Sequence, residues 1–567
     1  MARPLATLLG LLACMLLAWS VAQDLPLDEV RIGDVGYGVT AGPDGLARFD
    51  VEVLGVQRPD GPTFPTILVR TSGAFLESVG GVAAGMSGSP VYLERDGVPR
   101  LAGALAYGFP DTDHTLALLT PIEAMRSLTK PQPPRVELDV GTAVALQAPL
   151  LVSGLSIRAH THLAPLVEAA GQTLLPLQVG GTADVLQDPT TLQPGDAIGV
   201  ALARGDVTIA AVGTLTDVAG DELLLLGHPL LGRGASALAV VPANVTAIVP
   251  SRRIPYKLAN VGRTALATVH RDAAAGLAAT RAVSPSDVPL RVTIEGPMGS
   301  ETVDVQVTRD PDLLPSVVAT VVHTAIDDVR DAIRGGSATV AWRIGFENER
   351  DITLQEDRSS NVDLATAAAR LAGAPIAVLT RNPFQDPRLA SIDVHVRTFD
   401  APREVELVEV ALETPTVTPG GTVQAFIRLQ PYRAEAEVRT LSIKVPDDVK
   451  EGPLRLTLRG ATIPDPEREN LVLDEDRDPL EQAISDLPPI VSWGELLAAL
   501  QNRPKARDLL VEAPGEDRPR RLARLDLGGD DGAIVTGVQH VTVTVVASET
   551  PSASDTDTTT DAEVNTP

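Results

Sequence analysis

The chain has almost no cysteine, few aromatics and a deficit of positive charge, and each shortage removes a class of explanation. One cysteine stands in 567 residues, at Cys14. Beyond that position no disulfide framework and no thiol nucleophile can be invoked. Aromatic residues make up 3% of the chain, so its cores must be built from Val, Leu and Ala. Lys and Arg number 47 against 74 Asp and Glu, a net charge of −27. That balance argues against nucleic acid and against anionic membrane surfaces as partners. After the first twenty-odd residues no run reaches the roughly 18 apolar residues that a spanning helix requires. What is plentiful is glycine and proline, 47 and 46 residues, which favours short strands and turns over long helices.

The N-terminus reads as an export signal. Arg3 is followed by an apolar stretch from Leu5 to Ala18, and Ser20-Val21-Ala22 is a small-x-small cleavage site. Leu11-Leu12-Ala13-Cys14 loosely resembles a lipoprotein cleavage box, but the apolar run continues past Cys14, which favours cleavage after Ala22. The expected product is an exported bacterial protein, periplasmic, cell-envelope or extracellular, with no membrane insertion after signal cleavage.

The stretch on which a function can be built is Gly85-Met86-Ser87-Gly88-Ser89-Pro90. A serine between two glycines, followed by an apolar strand, suits a nucleophile on a tight turn, because glycine reaches backbone conformations closed to other residues. The amides of Gly85 and Ser87 could point at one spot and form an oxyanion hole. The hexapeptide resembles the nucleophile loop of trypsin-like peptidases and, more closely, that of the SpoIVB-type serine peptidases, which reads GMSGSP. The flanking segments Gly36–Thr40, Phe49–Val56, Gly103–Gly108 and Leu119–Met125 are similar to those around that family's serine. The resemblance implies a serine endopeptidase, a histidine base and an orienting acid. Gly227-His228-Pro229 matches the family's Gly-His segment and makes His228 the base. The acid should fall near Thr71-Ser72-Gly73, where none stands; Ser72, Glu77, Asp217 and Asp221 are the substitutes to consider. His228 follows Ser87, the reverse of the order in the sporulation protease, so the two halves would be permuted.

The expected fold is mainly β: a trypsin-like double β-barrel, permuted, then a mixed α/β segment and a β-sandwich. The divisions are a signal peptide at 1–22, the nucleophile half at 23–130 and the histidine half at 135–300. An α/β segment follows at 301–385, then an immunoglobulin-like sandwich at 386–465, a helical and strand segment at 466–547, and a disordered Ser/Thr/Asp tail at 548–567. Asp96-Gly97 predicts a hairpin turn. The trypsin-like resemblance implies that Gly103, Ala104, Ala106 and Gly108 wall the primary specificity pocket, their small side chains leaving room for a substrate side chain. Thr120-Pro121-Ile122-Glu123 predicts a capping box, as does Ser492-Trp493-Gly494-Glu495. An apolar stripe predicts a helix over 314–334, with His323 on its solvated face, and a second over 364–372 that stops at Gly373. A third short helix would begin at Asp478-Pro479. Residues 391–460 alternate at period two and are assigned to the sandwich. His160 and His162 would share one strand face, without a third metal ligand nearby, and His114 is a reserve base. No cofactor or metal is assigned. The implied partners are a protein or peptide substrate and a cell-envelope component. Two functions of different class remain: a serine endopeptidase using Ser87 and His228, and a catalytically weak or inactive envelope protein using the same fold as a binding or assembly scaffold.

Overall fold

Alternating apolar residues punctuated by glycine turns fold into two closed barrels that meet at the serine loop. The computed structural model describes residues 23–58, 64–109, 112, 114–130, 143–164, 174–178, 191–462, 490–515, 519–527 and 533–547. The segments expected as signal peptide, as Ser/Thr/Asp tail and as a helix from Asp478 lie outside these residues.

The first barrel is built from β1 (Val35–Gly42), β2 (Gly45–Gln57), β3 (Thr66–Ser72), β4 (Pro90–Arg95), β5 (Val98–Gly108) and β6 (Leu116–Pro121). Its order is β4-β1-β2-β3-β6-β5, and β4 pairs with β5 to close it. Phe49, Val51 and Val53 of β2 point inward, as their alternation requires, and pack with Ile67, Val69, Met86 and Leu105. The Asp96-Gly97 turn joins β4 to β5 with both residues at positive φ, +52° and +75°, the twist that a two-residue hairpin favours. A short strand, β7 (Val144–Ala145), lies on the free end of β5.

The second sheet supplies another closed barrel. After β8 (Ala148–Ser153) and β9 (Leu174–Gln178) come β10 (Ala197–Gly205), β11 (Thr208–Ala219), β12 (Glu222–Leu225) and β13 (Gly234–Val249). They are followed by β14 (Tyr256–Val261), β15 (Ala267–Ala273) and β16 (Gly276–Thr280). The order β10-β13-β15-β16-β12-β11 closes through β10–β11, so this too is a six-stranded barrel. The far half of β13 pairs with β14 and carries it to the first barrel. The fold is therefore mainly β with a double barrel.

The same sheet runs on through β17 (Asp287–Gly296) and β18 (Gly299–Thr308), which joins β10. Between β18 and the end of this region lie α1 (Leu313–Arg330), β19 (Gly336–Phe346), β20 (Ile352–Ser360), α2 (Leu364–Thr380) and β21 (Leu389–Phe399). The second barrel and this α/β region share one hydrophobic core. The alternating segment 392–397, expected in the sandwich, sits in β21 between β19 and β17. Period-two alternation makes a strand but does not name its partner. The sandwich itself draws one sheet from 404–412, 422–431, 437–444 and 534–536. Its other sheet comes from 416–417, 452–460, 508–513, 520–526 and 538–545, so it reaches far past residue 465.

Both helix expectations are corrected in detail. His323 is 1% exposed, not solvated, because α1 is covered on both sides, and its Nδ1 lies 2.8 Å from Nε2 of His162. His160 and His162 fall in a 3-10 helix, Arg158–Leu163, rather than on a strand. Burial and the neighbouring ring push the His162 pKa down to about 4. The second helix continues through Gly373, where a Cβ would stand 2.8 Å from the Pro315 carbonyl oxygen. Gly373 is thus the contact point of two helices, not a stop. The Ser492 cap forms as read, its hydroxyl accepting from the Glu495 amide. Among the described residues no helix is long and apolar enough to cross a membrane.

Candidate functional site

The serine loop turns where its glycines allow. Gly85 and Gly88 stand at φ +89° and +92°. Met86 N–H donates to the Ala83 carbonyl and Ser89 N–H to the Met86 carbonyl, which folds the loop on itself. The Ser89 hydroxyl donates to the same Met86 oxygen at 2.6 Å. The Met86 side chain, where trypsin-like enzymes carry an acid, is fully buried in the first barrel.

The loop is gripped from the second barrel. Thr214 N–H donates to the Ser87 carbonyl, and the Thr214 and Thr216 hydroxyls donate to the Gly85 and Gly88 carbonyls at 3.0 and 2.8 Å. Ala84 bridges to β14, donating to the Pro255 carbonyl and accepting from Lys257 N–H. Ser87 has no exposed surface, and its Oγ has no hydrogen-bond partner.

His228 follows a strained corner. Leu226 is a buried non-glycine residue at φ +65°, next to Gly227 at +72°. Its side chain takes the space that a Cβ on Gly213 would fill, 1.9 Å from Leu226 Cδ2. Backbone held in this region costs free energy, and such residues cluster at functional sites. Gly227 lies against β5, a Cβ there falling 3.2 Å from those of Ala104 and Ala106. The small residues of β5 therefore admit the histidine loop instead of leaving an open pocket. The expected Thr120 cap is also redirected: its hydroxyl donates to the Gly227 carbonyl at 2.5 Å, and the helix Ile122–Arg126 starts without a side-chain cap.

The imidazole is oriented by the backbone. A carbonyl can only accept, so the 2.8 Å contact between Nδ1 and the Pro229 oxygen puts the proton on Nδ1 and leaves the Nε2 lone pair free. His228 has no exposed surface, and Nε2 is unpartnered. Burial pushes its pKa down to about 4, against the pull of the Pro229 and Leu146 carbonyls beside the ring. It is neutral at pH 7, the form a general base needs.

The orienting residues read from sequence are elsewhere. Asp217 is committed to Arg126, whose Nη1 is 2.6 Å away and which also holds Asp24. Ser72 is exposed at the end of β3, and Asp221 is exposed in the turn between β11 and β12. None of them is hydrogen-bonded to His228. The Gly85 amide is not free either: it donates to the Gln147 carbonyl at 3.0 Å. The Ser87 amide donates to no backbone carbonyl of the described residues.

Two side chains missed by sequence reading support the site. Asp272, buried in β15, accepts from the Leu230, Leu231 and Gly232 amides at 2.9, 2.7 and 2.9 Å and so clamps the loop after His228. Asp272→Ala should orphan those amides at about 1–3 kcal/mol each. The expected result is a lowered thermal midpoint, and serine labelling (below) should slow with it. Lys257 is the other. It is fully buried, and its Nζ lies 2.8 Å from Thr40 Oγ1 and 3.4 Å from Thr214 Oγ1. Its stem packs 3.2 Å from where a Gly85 Cβ would be. With hydroxyls as its hydrogen-bond partners, burial pushes its pKa down to about 7. The period-two pattern of 256–261 would have placed Lys257 inward with Ala259 and Val261.

A cleft of about 830 Å³ lies beside the residues that follow His228, lined by Phe64, Pro229, Arg233, Arg271, Asp272 and Ala274 among others. Among the described residues no group of three or more His, Cys, Asp and Glu side chains could hold a metal ion. Comparison of the chain with protein-family models, with curated proteins and with solved structures finds no match.

Proposed function

We propose that this chain is an exported serine endopeptidase of SpoIVB type, with Ser87 as nucleophile and His228 as base. The observation that carries the proposal is that Ser87 Oγ and His228 Nε2 are each buried without a hydrogen-bond partner, each other included, on loops that approach where Gly88 lies against Leu226. Buried polar atoms without partners are rare and costly, and reactive sites are where that cost is tolerated.

In the reaction Ser87 Oγ bonds to a substrate carbonyl carbon while its proton passes to His228 Nε2. The carbon–nitrogen bond then breaks, and the leaving amine takes that proton. Water, deprotonated by the same nitrogen, releases the acyl group and restores the serine. The Pro229 carbonyl takes the orienting place of the absent acid. Because it carries no full charge, the imidazolium is less stabilised than beside a carboxylate.

A second reading rests on a different observation. The fully buried Ser87 and the occupied Gly85 amide describe a closed site, as suits a catalytically inactive envelope scaffold. Fluorophosphonate labelling of the purified protein separates the two. Under the peptidase reading Ser87→Ala abolishes labelling, and His228→Ala slows it by about 10²–10⁴. A folded wild-type protein that never labels leaves the scaffold reading.

A further inference from the structure

One edge of β5 is shared by three partners in sequence. β4 pairs with it as far as Ala104. The serine loop comes next, Gly88 N–H donating to the Leu105 carbonyl and Leu105 N–H to the Ser89 carbonyl. From Ala106 onward the partner is the segment 144–147: Leu146 N–H donates to the Ala106 carbonyl at 2.8 Å, and Ala145 and Val144 stand opposite Tyr107 and Gly108.

β4–β5 pairing closes the barrel without this segment, which adds the Leu146 side chain to the barrel's core. The segment also touches each part of the candidate site. Its Gln147 carbonyl accepts from the Gly85 amide, its Leu146 carbonyl faces the His228 ring, and its backbone extends β5. The Leu146 side chain is buried against Gly108, its Cδ2 lying 3.0 Å from where a Cβ there would be. An extended segment added to a strand edge, with one aliphatic side chain seated and one carbonyl on a loop amide, has the form of a bound peptide.

We propose that the Ala106–Gly108 edge of β5, together with the Gly85 amide, is a peptide-binding groove, and that Val144–Gln147 is the chain's own occupant. The ligand is an extended peptide that pairs antiparallel with β5. It carries a Leu-sized aliphatic side chain one residue before the carbonyl held by Gly85, and it binds by displacing Val144–Gln147. That this carbonyl is the one Ser87 attacks rests on the peptidase reading; the groove itself does not.

The test uses full-length protein carrying Ser87→Ala, so that binding is read without turnover. The probe is a fluorescent peptide with the sequence Ala-Val-Ala-Leu-Gln, followed by anisotropy. Adding Leu146→Pro removes the N–H that donates to Ala106 and unseats the internal strand. Affinity for the probe should rise by about tenfold or more, because the open state no longer has to be reached against the occupant. A probe with Asp in place of Leu should bind neither protein. Leu146→Gly vacates the side-chain seat without altering a donor, and it gives the same reading if the proline variant does not fold. Equal affinity with and without the unseating substitution, or equal binding of the Asp probe, overturns the groove. Probe binding in a protein whose intact Ser87 never labels with fluorophosphonate retains the groove and overturns the peptidase.

Discussion

Gly88→Ala is expected to cost more than about 4 kcal/mol of stability and to abolish serine labelling. A Cβ at this position would lie 2.1 Å from the Thr214 carbonyl oxygen and 2.6 Å from the Leu226 nitrogen. Both atoms are backbone, the first in β11 and the second in the corner that directly follows β12, so neither can yield alone. Gly88 also stands at φ +92°, where any side chain is strained. The substitution would push the serine loop off the second barrel and break its contacts with Thr214 and Thr216 together. Gly97 is the control, at φ +75° but with nothing within 4 Å of its added Cβ. Gly97→Ala should cost only the left-handed strain, about 1–2 kcal/mol. Thermal denaturation of the two variants decides the matter. Comparable losses would mean that the close approach of the barrels at Gly88 is wrong.

Lys257→Met should stabilise the protein at low pH, and the gain should shrink as pH rises. The lysine pKa falls from 10.5 in the open chain to about 7 in the fold. Between those values the unfolded chain binds the proton and the native chain does not, so the wild type gains stability as pH climbs from 7 towards 10.5. Below pH 7 both states are protonated, and the full penalty of burying the cation remains. Methionine carries no such penalty. Its advantage over the wild type should therefore be greatest near pH 6 and narrow by roughly 3 kcal/mol by pH 9. Urea denaturation at the two pH values measures this. A gap that stays constant would show that Lys257 keeps its charge in the fold. The same substitution removes the amino group that ties Thr40 to Thr214, so slower serine labelling is expected with it.

Much of this was readable before any coordinate. The GMSGSP turn, its flanking strands and the small residues around His228 indicated a serine loop and a histidine loop on a β scaffold. The Asp96-Gly97 hairpin and the Ser492 cap were set by local chemistry and formed as read. Reading failed where one local pattern had two possible partners. Thr120 had the spacing of a helix cap, but its hydroxyl satisfies the Gly227 carbonyl across the barrel junction. His323 lay on a polar helix face that tertiary packing then buried against His162. The strand at 392–397 alternated as a sandwich strand does, and it joined the α/β sheet instead.

The groups that orient the histidine were out of reach for a different reason. Pro229 acts through a carbonyl that every residue possesses, so no side-chain pattern marks it. Asp272 and Lys257 are ordinary residues within strands until the fold removes water from them. A single chain order also cannot say whether the histidine half follows or precedes the serine half in space, because loops far apart in sequence meet only through barrel closure.

By itself, then, the sequence determined the strand-rich class, the two candidate loops and the lack of any cysteine beyond Cys14, since these depend on residue type and near-neighbour spacing. The tertiary structure alone decided that the serine loop packs against the Leu226–Gly227 corner, that Asp217 is spent on Arg126, and that Val144–Gln147 occupies the edge of β5. Each of these depends on which buried polar group finds which partner, and that is settled only when distant strands close into barrels.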